Sequence, residues 1–316
     1  MNQNVIFQLL QETDICAKYD TEAKKLLGNK EILARIVKYS IAEFSDYSIS
    51  TIINSIEGEP IIARKRVRPP SNIIGRTNTD SEIGAGEVTY DIYFHIITQD
   101  KGRTKVIINI EMQNDYYPGY DLVTRGVFYC ARMLSSQQDT EFSGDNYDDI
   151  KKVYSIWICK NPPEYGRHTI TEYKVVPNEL WGNFKGKGRY DLLSVIMVRL
   201  GETKGAINPL IKLLDTILSD KLSVEHKQKV LETEFCIPRN FDKNGGLSKL
   251  CNLSMGIAEE AVKKGVKQGV KQGIKQERIN RIQSMIKKGK TKEEILEWDY
   301  TEKEYAEAEK ELLQPV

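Results

Sequence analysis

Residues 88–113 read VTYDIYFHIITQDKGRTKVIINIEMQ: two strand-like runs on either side of Asp100-Lys101-Gly102, the first carrying Asp91 and the second ending in Glu111-Met112-Gln113. A three-residue hairpin loop with Gly102 in the left-handed position sets Gln99 across from Arg103. Counting back along both strands then stands Asp91 opposite Glu111. Side chains alternate along a strand, so Asp91, Tyr93 and His95 share a face with Asn109, Glu111 and Gln113. Facing Cβ atoms lie roughly 5 Å apart, which lets both carboxylates reach one hard divalent cation. A two-residue loop shifts the register by one and sends the two acids to opposite faces.

Carboxylates are poor strand residues, and these two interrupt apolar sequence: Ile92 and Phe94 in the first run, Val106, Ile107, Ile108 and Ile110 in the second. Both faces of the second strand read as buried. An unpaired Glu111 there is costly and a metal-ligating one is sensible. Two charges on a half-exposed sheet face are the plain alternative.

Asp91 followed by Ile110-Glu111-Met112-Gln113 resembles the PD-(D/E)XK nuclease signature in the variant with Gln at the last position, as in the PD-(D/E)XK family transposases, also called recombination-promoting nucleases. The surrounding text is similar too: Ile56-Glu57-Gly58-Glu59-Pro60 upstream, Asn114-Asp115-Tyr116-Tyr117-Pro118-Gly119-Tyr120 after the acidic hairpin, residues 125–137, the run Val153-Tyr154-Ser155-Ile156-Trp157-Ile158-Cys159, and a glycine-punctuated helical tail. The likeness spans residues 1–200 and the tail, roughly three quarters of the chain. It implies a restriction-endonuclease-like α/β core, a mixed sheet flanked by helices, with an α-helical C-terminal extension. It also implies Mg2+ or Mn2+ as cofactor, DNA as substrate, phosphodiester hydrolysis as reaction and recombination as its setting. Asp91 and Glu111 are then the metal-binding carboxylates, with the Met112 carbonyl as a main-chain ligand.

Gln113 stands where the commoner signature has lysine. An amide exchanges no proton near neutral pH, so Gln113 can orient water or a phosphate oxygen but cannot act as general base. Water activation then falls to the metal. The family fold often adds an acid from the first helix, for which Glu22, Glu31 and Glu43 are all candidates. A catalytically degenerate DNA-binding or assembly protein on the same fold is the competing expectation.

At 316 residues and 40% hydrophobic content the chain can bury a sizeable core and carry an appendage. Its 46 Lys and Arg against 45 Asp and Glu leave no global basic excess, so a nucleic-acid surface must be local. Cys16, Cys130, Cys159, Cys236 and Cys251 are scattered, and His95, His168 and His226 are the only histidines. That spacing supports neither a zinc cluster nor a disulfide framework, and a reducing cytoplasm is the expected compartment. The start lacks a positively charged leader, no apolar run has the length of a membrane span, and no membrane partner is expected.

The pattern predicts a helix over 21–44 broken near Gly28-Asn29, a polar loop over 71–86, a helix over 122–134, a strand over 153–159 ended by Pro162-Pro163, further strands over 169–176 and 190–198, and helices after Gly201. In the 122–134 helix Val123, Val127, Cys130 and Leu134 read as the inward stripe. Arg125, Tyr129 and Arg132 fall on another face, a DNA-binding set in which the arginines grip phosphate and Tyr129 stacks or donates. Arg64, Lys65, Arg66 and Arg68 form a second basic cluster, which equally suits a solvated surface.

Gly265-Val266-Lys267-Gln268 recurs at 269–272 and, with Ile for Val, at 273–276. A period of four drifts about 40° per repeat on a 3.6-residue helix, so Val262, Val266, Val270 and Ile274 wind slowly beside Gly265, Gly269 and Gly273. Three glycines cost roughly 1 kcal/mol each in an isolated helix. The repeat reads either as an arm for homo-oligomerisation or DNA contact, or as a solvated helix or linker. Thr291-Lys292-Glu293-Glu294 and Thr301-Glu302-Lys303-Glu304 read as capping boxes opening two short helices, anchored by Ile295, Leu296, Trp298 and Leu312. The expected organisation is a nuclease-like domain over 1–200, a helical extension over 201–252, and a glycine-repeat arm with terminal helices over 253–316.

Overall fold

The computed structural model describes residues 3–67, 88–98, 104–186, 188–201 and 208–313. The Asp100-Lys101-Gly102 turn, the 71–86 loop and Arg68 lie outside the described residues. Three helices open the chain, α1 (Gln3–Leu27), α2 (Lys30–Ser40) and α3 (Ile49–Ser55). The expected break falls at Gly28-Asn29, where the Asn29 side chain caps α2 by accepting from the Glu31 N–H at 2.9 Å.

Strands β1 (Ile61–Val67), β2 (Val88–Thr98) and β3 (Thr104–Asp115) follow, then helix α4 (Leu122–Ser135), then β4 (Lys152–Asn161), β5 (Thr169–Lys174) and β6 (Leu193–Arg199). They form one six-stranded sheet in the order β1-β2-β3-β4-β6-β5. β3, β4 and β6 are mutually parallel, and the β1–β2, β2–β3 and β5–β6 pairs are antiparallel. A mixed α/β sheet was the expectation, and a parallel β3–β4 pair requires a crossover such as α4. In β4 seven consecutive residues, Val153 to Cys159, are buried, the mark of a strand covered on both faces.

One face carries the cluster of Tyr93, Ile107, Val153, Trp157, Val195 and Met197 under α4 residues Leu122, Tyr129, Cys130 and Met133. The inward stripe of α4 therefore differs from the expected one: Gly126, Tyr129 and Met133 face inward, and Val127 is 44% exposed. The helix lies close to the sheet because Gly126 lacks a side chain, and Tyr129 fills the space over Trp157 with its ring. Of the expected stripe, Cys130 is buried and Val123 and Leu134 pack against the cluster, so Val127 alone is displaced.

Helices α5 (Pro209–Leu218) and α6 (Val224–Phe235) join the sheet in one compact unit, residues 1–254, rather than forming a separate extension. Arg35 ties α2 to the end of α6, its Nε and Nη2 donating to the Phe235 carbonyl at 3.0 and 2.6 Å. No described helix is long and apolar enough to cross a membrane.

The second unit covers residues 255–316. Helix α7 (Gly246–Lys287) contains the glycine repeat, and α8 (Lys292–Leu296) and α9 (Glu302–Leu312) follow. Both expected capping boxes are present. Ile279, Ile282, Ile295 and Ala308 make a small core, whereas Trp298 is 68% exposed and anchors nothing. Val262, Val266, Val270 and Ile274 are exposed, and no described atom lies within 4 Å of a Cβ built on Gly265, Gly269 or Gly273.

A Cβ added at Gly126 would sit 2.5 Å from Val195 Cγ1 and 3.1 Å from Trp157 Nε1. Gly126→Ala is therefore expected to destabilise the first unit by roughly 1–3 kcal/mol, read from denaturant unfolding, despite alanine's better helix propensity.

Candidate active site at the carboxylate pair

The β2–β3 ladder runs from Thr98↔Thr104 to Ile92↔Ile110, the register in which Asp91 stands opposite Glu111. Beyond Ile110 the cross-strand bonds run through side chains. The Asp91 N–H donates to Glu111 Oε1 at 3.1 Å, and the Met112 N–H donates to Asp91 Oδ2 at 3.1 Å. Each carboxylate thus accepts from the opposite strand. The two acids are brought together as the sequence suggested.

Glu111 is 5% exposed. Burial pushes its pKa up to about 8, the charge of Asp91 adds to the rise, and the Asp91 N–H, Arg125 and Asn109 only partly oppose it. Asp91 is also raised, chiefly by burial, against the pull of Lys24. Beneath them runs a buried polar thread in which Trp157 Nε1 donates to Ser155 Oγ at 2.9 Å and Asn109 Nδ2 to the same oxygen at 3.2 Å.

Helix α1 supplies what the sequence reading missed. Lys24 Nζ lies 2.7 Å from Asp91 Oδ1 and 2.5 Å from Asp20 Oδ2, and these two contacts outweigh the burial that disfavours its charge. Of the three first-helix acids considered, Glu22 pairs with Lys25, Glu31 with Arg35 and Glu43 with Lys152. Their ion pairs leave Asp20, through Lys24, as the acid tied to Asp91. Asp20 and Lys24 stand one turn apart on α1, but no local signal says which face of that helix meets the hairpin.

Gln113 is half-buried, and its Nε2 donates to the Asp115 carbonyl at 2.7 Å. Arg125 is enclosed by aromatic rings. Its Nη2 and Nε donate to the Tyr129 hydroxyl at 2.6 and 3.2 Å, its Nη1 donates to the Tyr120 hydroxyl, and its guanidinium lies over the Tyr120, Tyr129 and Trp157 rings. Tyr129 is a core residue, 6% exposed, which holds Arg125 rather than offering a free ring for stacking. Arg132 is half-buried, seven residues beyond Arg125 along α4. Arg64, Lys65 and Arg66 belong to the edge strand β1. The upstream Ile56-Glu57 segment docks farther along β2, where Ile56 bridges Ile96 and the Glu57 N–H donates to the His95 carbonyl at 2.9 Å.

Among the described residues no group of three or more His, Cys, Asp or Glu side chains is gathered to hold a metal ion. Two carboxylates remain a sufficient protein share for Mg2+, which keeps several waters and commonly takes substrate phosphate as a further ligand. The comparisons with protein families, with curated proteins and with solved structures each find no match.

The raised pKa of Glu111 carries a sign for stability. The folded state holds that proton more tightly than the unfolded chain, so between about 4.5 and about 8 stability falls as pH rises, and it is retained below that window. The metal-free protein is expected to show a falling Tm across this range, and Glu111→Gln to flatten the profile and raise Tm at its alkaline end. A wild-type profile unchanged by Glu111→Gln would show that Glu111 is ionised throughout.

Proposed function

We propose that this chain is a metal-dependent DNA endonuclease of the PD-(D/E)XK transposase type. The observation that carries the reading is the facing pair of a half-buried Asp91 and a buried Glu111, each accepting an N–H from the opposite strand, whose charge burial disfavours and a divalent cation would stabilise. Asp91, Glu111 and the Met112 carbonyl would hold Mg2+ or Mn2+. Bound there, the ion would supply a water of lowered pKa and polarise the phosphate.

The chain's own residues have separable tasks. Glu111 would be favoured in its ionised form by a cation held there and its proton would pass to solvent, so that metal affinity would depend on pH. Gln113, by turning its amide from the Asp115 carbonyl, orients the attacking water or a phosphate oxygen without taking a proton. Lys24 favours the ionised form of Asp91, against the burial that raises its pKa. Arg125, fixed by Tyr120 and Tyr129, and Arg132 on the same helix neutralise phosphates beside the scissile bond. The specific nuclease fold, and recombination as the setting of the cleavage, belong to this same proposal.

A second reading has its own observation. Asp91 Oδ1 is taken by Lys24 and Oδ2 by the Met112 N–H, while Glu111 Oε1 accepts from Asp91. An ammonium already neutralising the carboxylate suits a degenerate site in a DNA-binding or assembly protein.

Cleavage of plasmid DNA with Mg2+ or Mn2+, against an EDTA control, separates the two readings. The nuclease reading expects metal-dependent cleavage that Asp91→Ala abolishes while Tm is kept, and a smaller loss of turnover in Gln113→Ala. Retention of DNA without cleavage under any metal supports the second reading.

Phosphate contacts release counterions and carry no base information, so binding is expected to be salt-sensitive and sequence-tolerant. Arg125→Ala combined with Arg132→Ala should weaken binding to unrelated duplexes alike and reduce the slope of log K against log salt by about 1.8. An unchanged slope removes this face of α4 from the DNA interface.

A further inference from the structure

A cavity of about 440 Å³ opens at the C-terminal ends of the parallel strands β4 and β6, away from the carboxylate pair. Pro162, Leu200 and Leu218, all buried, give it apolar walls, and Lys160, Arg167 and Asp215 are among its polar groups. The carboxyl ends of parallel strands are a common place for ligands, and the volume falls within the range of small-molecule clefts.

Asp215, on α5, is 6% exposed. Its Oδ1 accepts from the Gly201 N–H at 3.3 Å, and its Oδ2 has no hydrogen-bond partner. That oxygen is closed to solvent as well as unpaired, a cost in free energy that a ligand donor would recover as the carboxylate turns toward the cavity. Burial pushes the Asp215 pKa up to about 7, so the carboxylate form is within reach at neutral pH.

Cations stand elsewhere on the same wall. Lys160 Nζ donates to the Tyr19 hydroxyl at 2.9 Å, one of the three hydrogens an ammonium carries, and the Arg167 residue is exposed at the rim with Asp220 and Lys221. Lys227 is different: its Nζ is committed to the Ile217 and Ser219 carbonyls at 3.0 and 2.6 Å and serves the fold.

The complementary ligand therefore has an N–H donor at one end, an oxyanion at the other and an apolar body between. We propose that this cavity binds a nucleoside monophosphate unit, with a base N–H on Asp215 Oδ2 and the phosphate on Arg167 and Lys160. An amino-acid zwitterion carries its ammonium and carboxylate on one carbon, with any apolar side chain to one side, whereas a nucleotide holds its base N–H and its phosphate at opposite ends of its body. The unit is either a free nucleotide or one residue of a DNA strand. Binding of a free nucleotide is independent of the nuclease reading, whereas the strand source rests on it.

The test is titration calorimetry of the full-length protein with dGMP, dAMP, dCMP and dTMP, with inorganic phosphate and glycine as controls, and with a short single-stranded oligonucleotide. Asp215→Asn keeps the oxygen that accepts from Gly201 and turns the other position into a donor. It should weaken the preferred nucleotide at least tenfold with Tm maintained. Arg167→Ala, a change at an exposed position, should weaken all four nucleotides and keeps the proposal testable should Asp215→Asn fail to fold. Oligonucleotide binding tighter than that of any mononucleotide, and lost in both variants, assigns the strand as the source; equal binding assigns the free nucleotide. Absence of nucleotide binding at millimolar concentration, affinity indifferent to both variants, or binding of phosphate or glycine as tight as that of nucleotide overturns it. Because these readouts involve neither metal nor cleavage, their failure leaves the Asp91–Glu111 proposal standing, and failure of cleavage leaves the cavity standing.

Discussion

Burial of strand β4 on both faces is the constraint from which the rest of the first unit follows. A strand with seven consecutive buried residues needs neighbours on both edges and cover above and below. β3 and β6 supply the edges, in parallel, and α4 lies close on one face because Gly126 lets it. This packing turns the end of β3 into an interior position. Glu111, beside Trp157 in the β3–β4 register, is thereby carried out of water.

A carboxylate in that position opposes folding when it is charged and is tolerated when it is protonated or paired. The protein uses three partial remedies: an N–H from the facing strand, a polar thread through Asn109 and Ser155, and the aromatic-held guanidinium of Arg125. None supplies a full opposite charge in direct contact with Glu111, while Asp91 has one in Lys24. The asymmetry is the physical core of the functional question. One acid is neutralised by the chain itself, and the other is left in need of a proton or a cation.

The same sheet end carries both the acid pair and the cavity. The acid pair lies where β2 and β3 meet, and the cavity lined by Asp215 lies where β4 and β6 end. Helix α1 touches both, through Lys24 to Asp91 and through Tyr19 to Lys160. Two residues five positions apart on one helix are separated by about 7.5 Å along its axis. A change in the packing of α1 would therefore be felt at both places.

The sequence alone determined the elements whose signals are local. Turn chemistry and strand alternation gave the hairpin register that pairs Asp91 with Glu111, Asn29 marked the start of α2, the two Thr-x-x-Glu boxes opened α8 and α9, and the apolar run 153–159 announced β4. Tertiary structure decided whatever depends on which surfaces meet. Only packing turned Gly126 and Tyr129 inward and Val127 outward, left Trp298 in solvent, and joined α5 and α6 to the sheet unit. Only packing, too, brought Lys24 to Asp91 in place of the three acids that the family resemblance had nominated. A helix repeats its faces every 3.6 residues whatever it packs against, so its sequence displays every candidate contact and the fold selects among them.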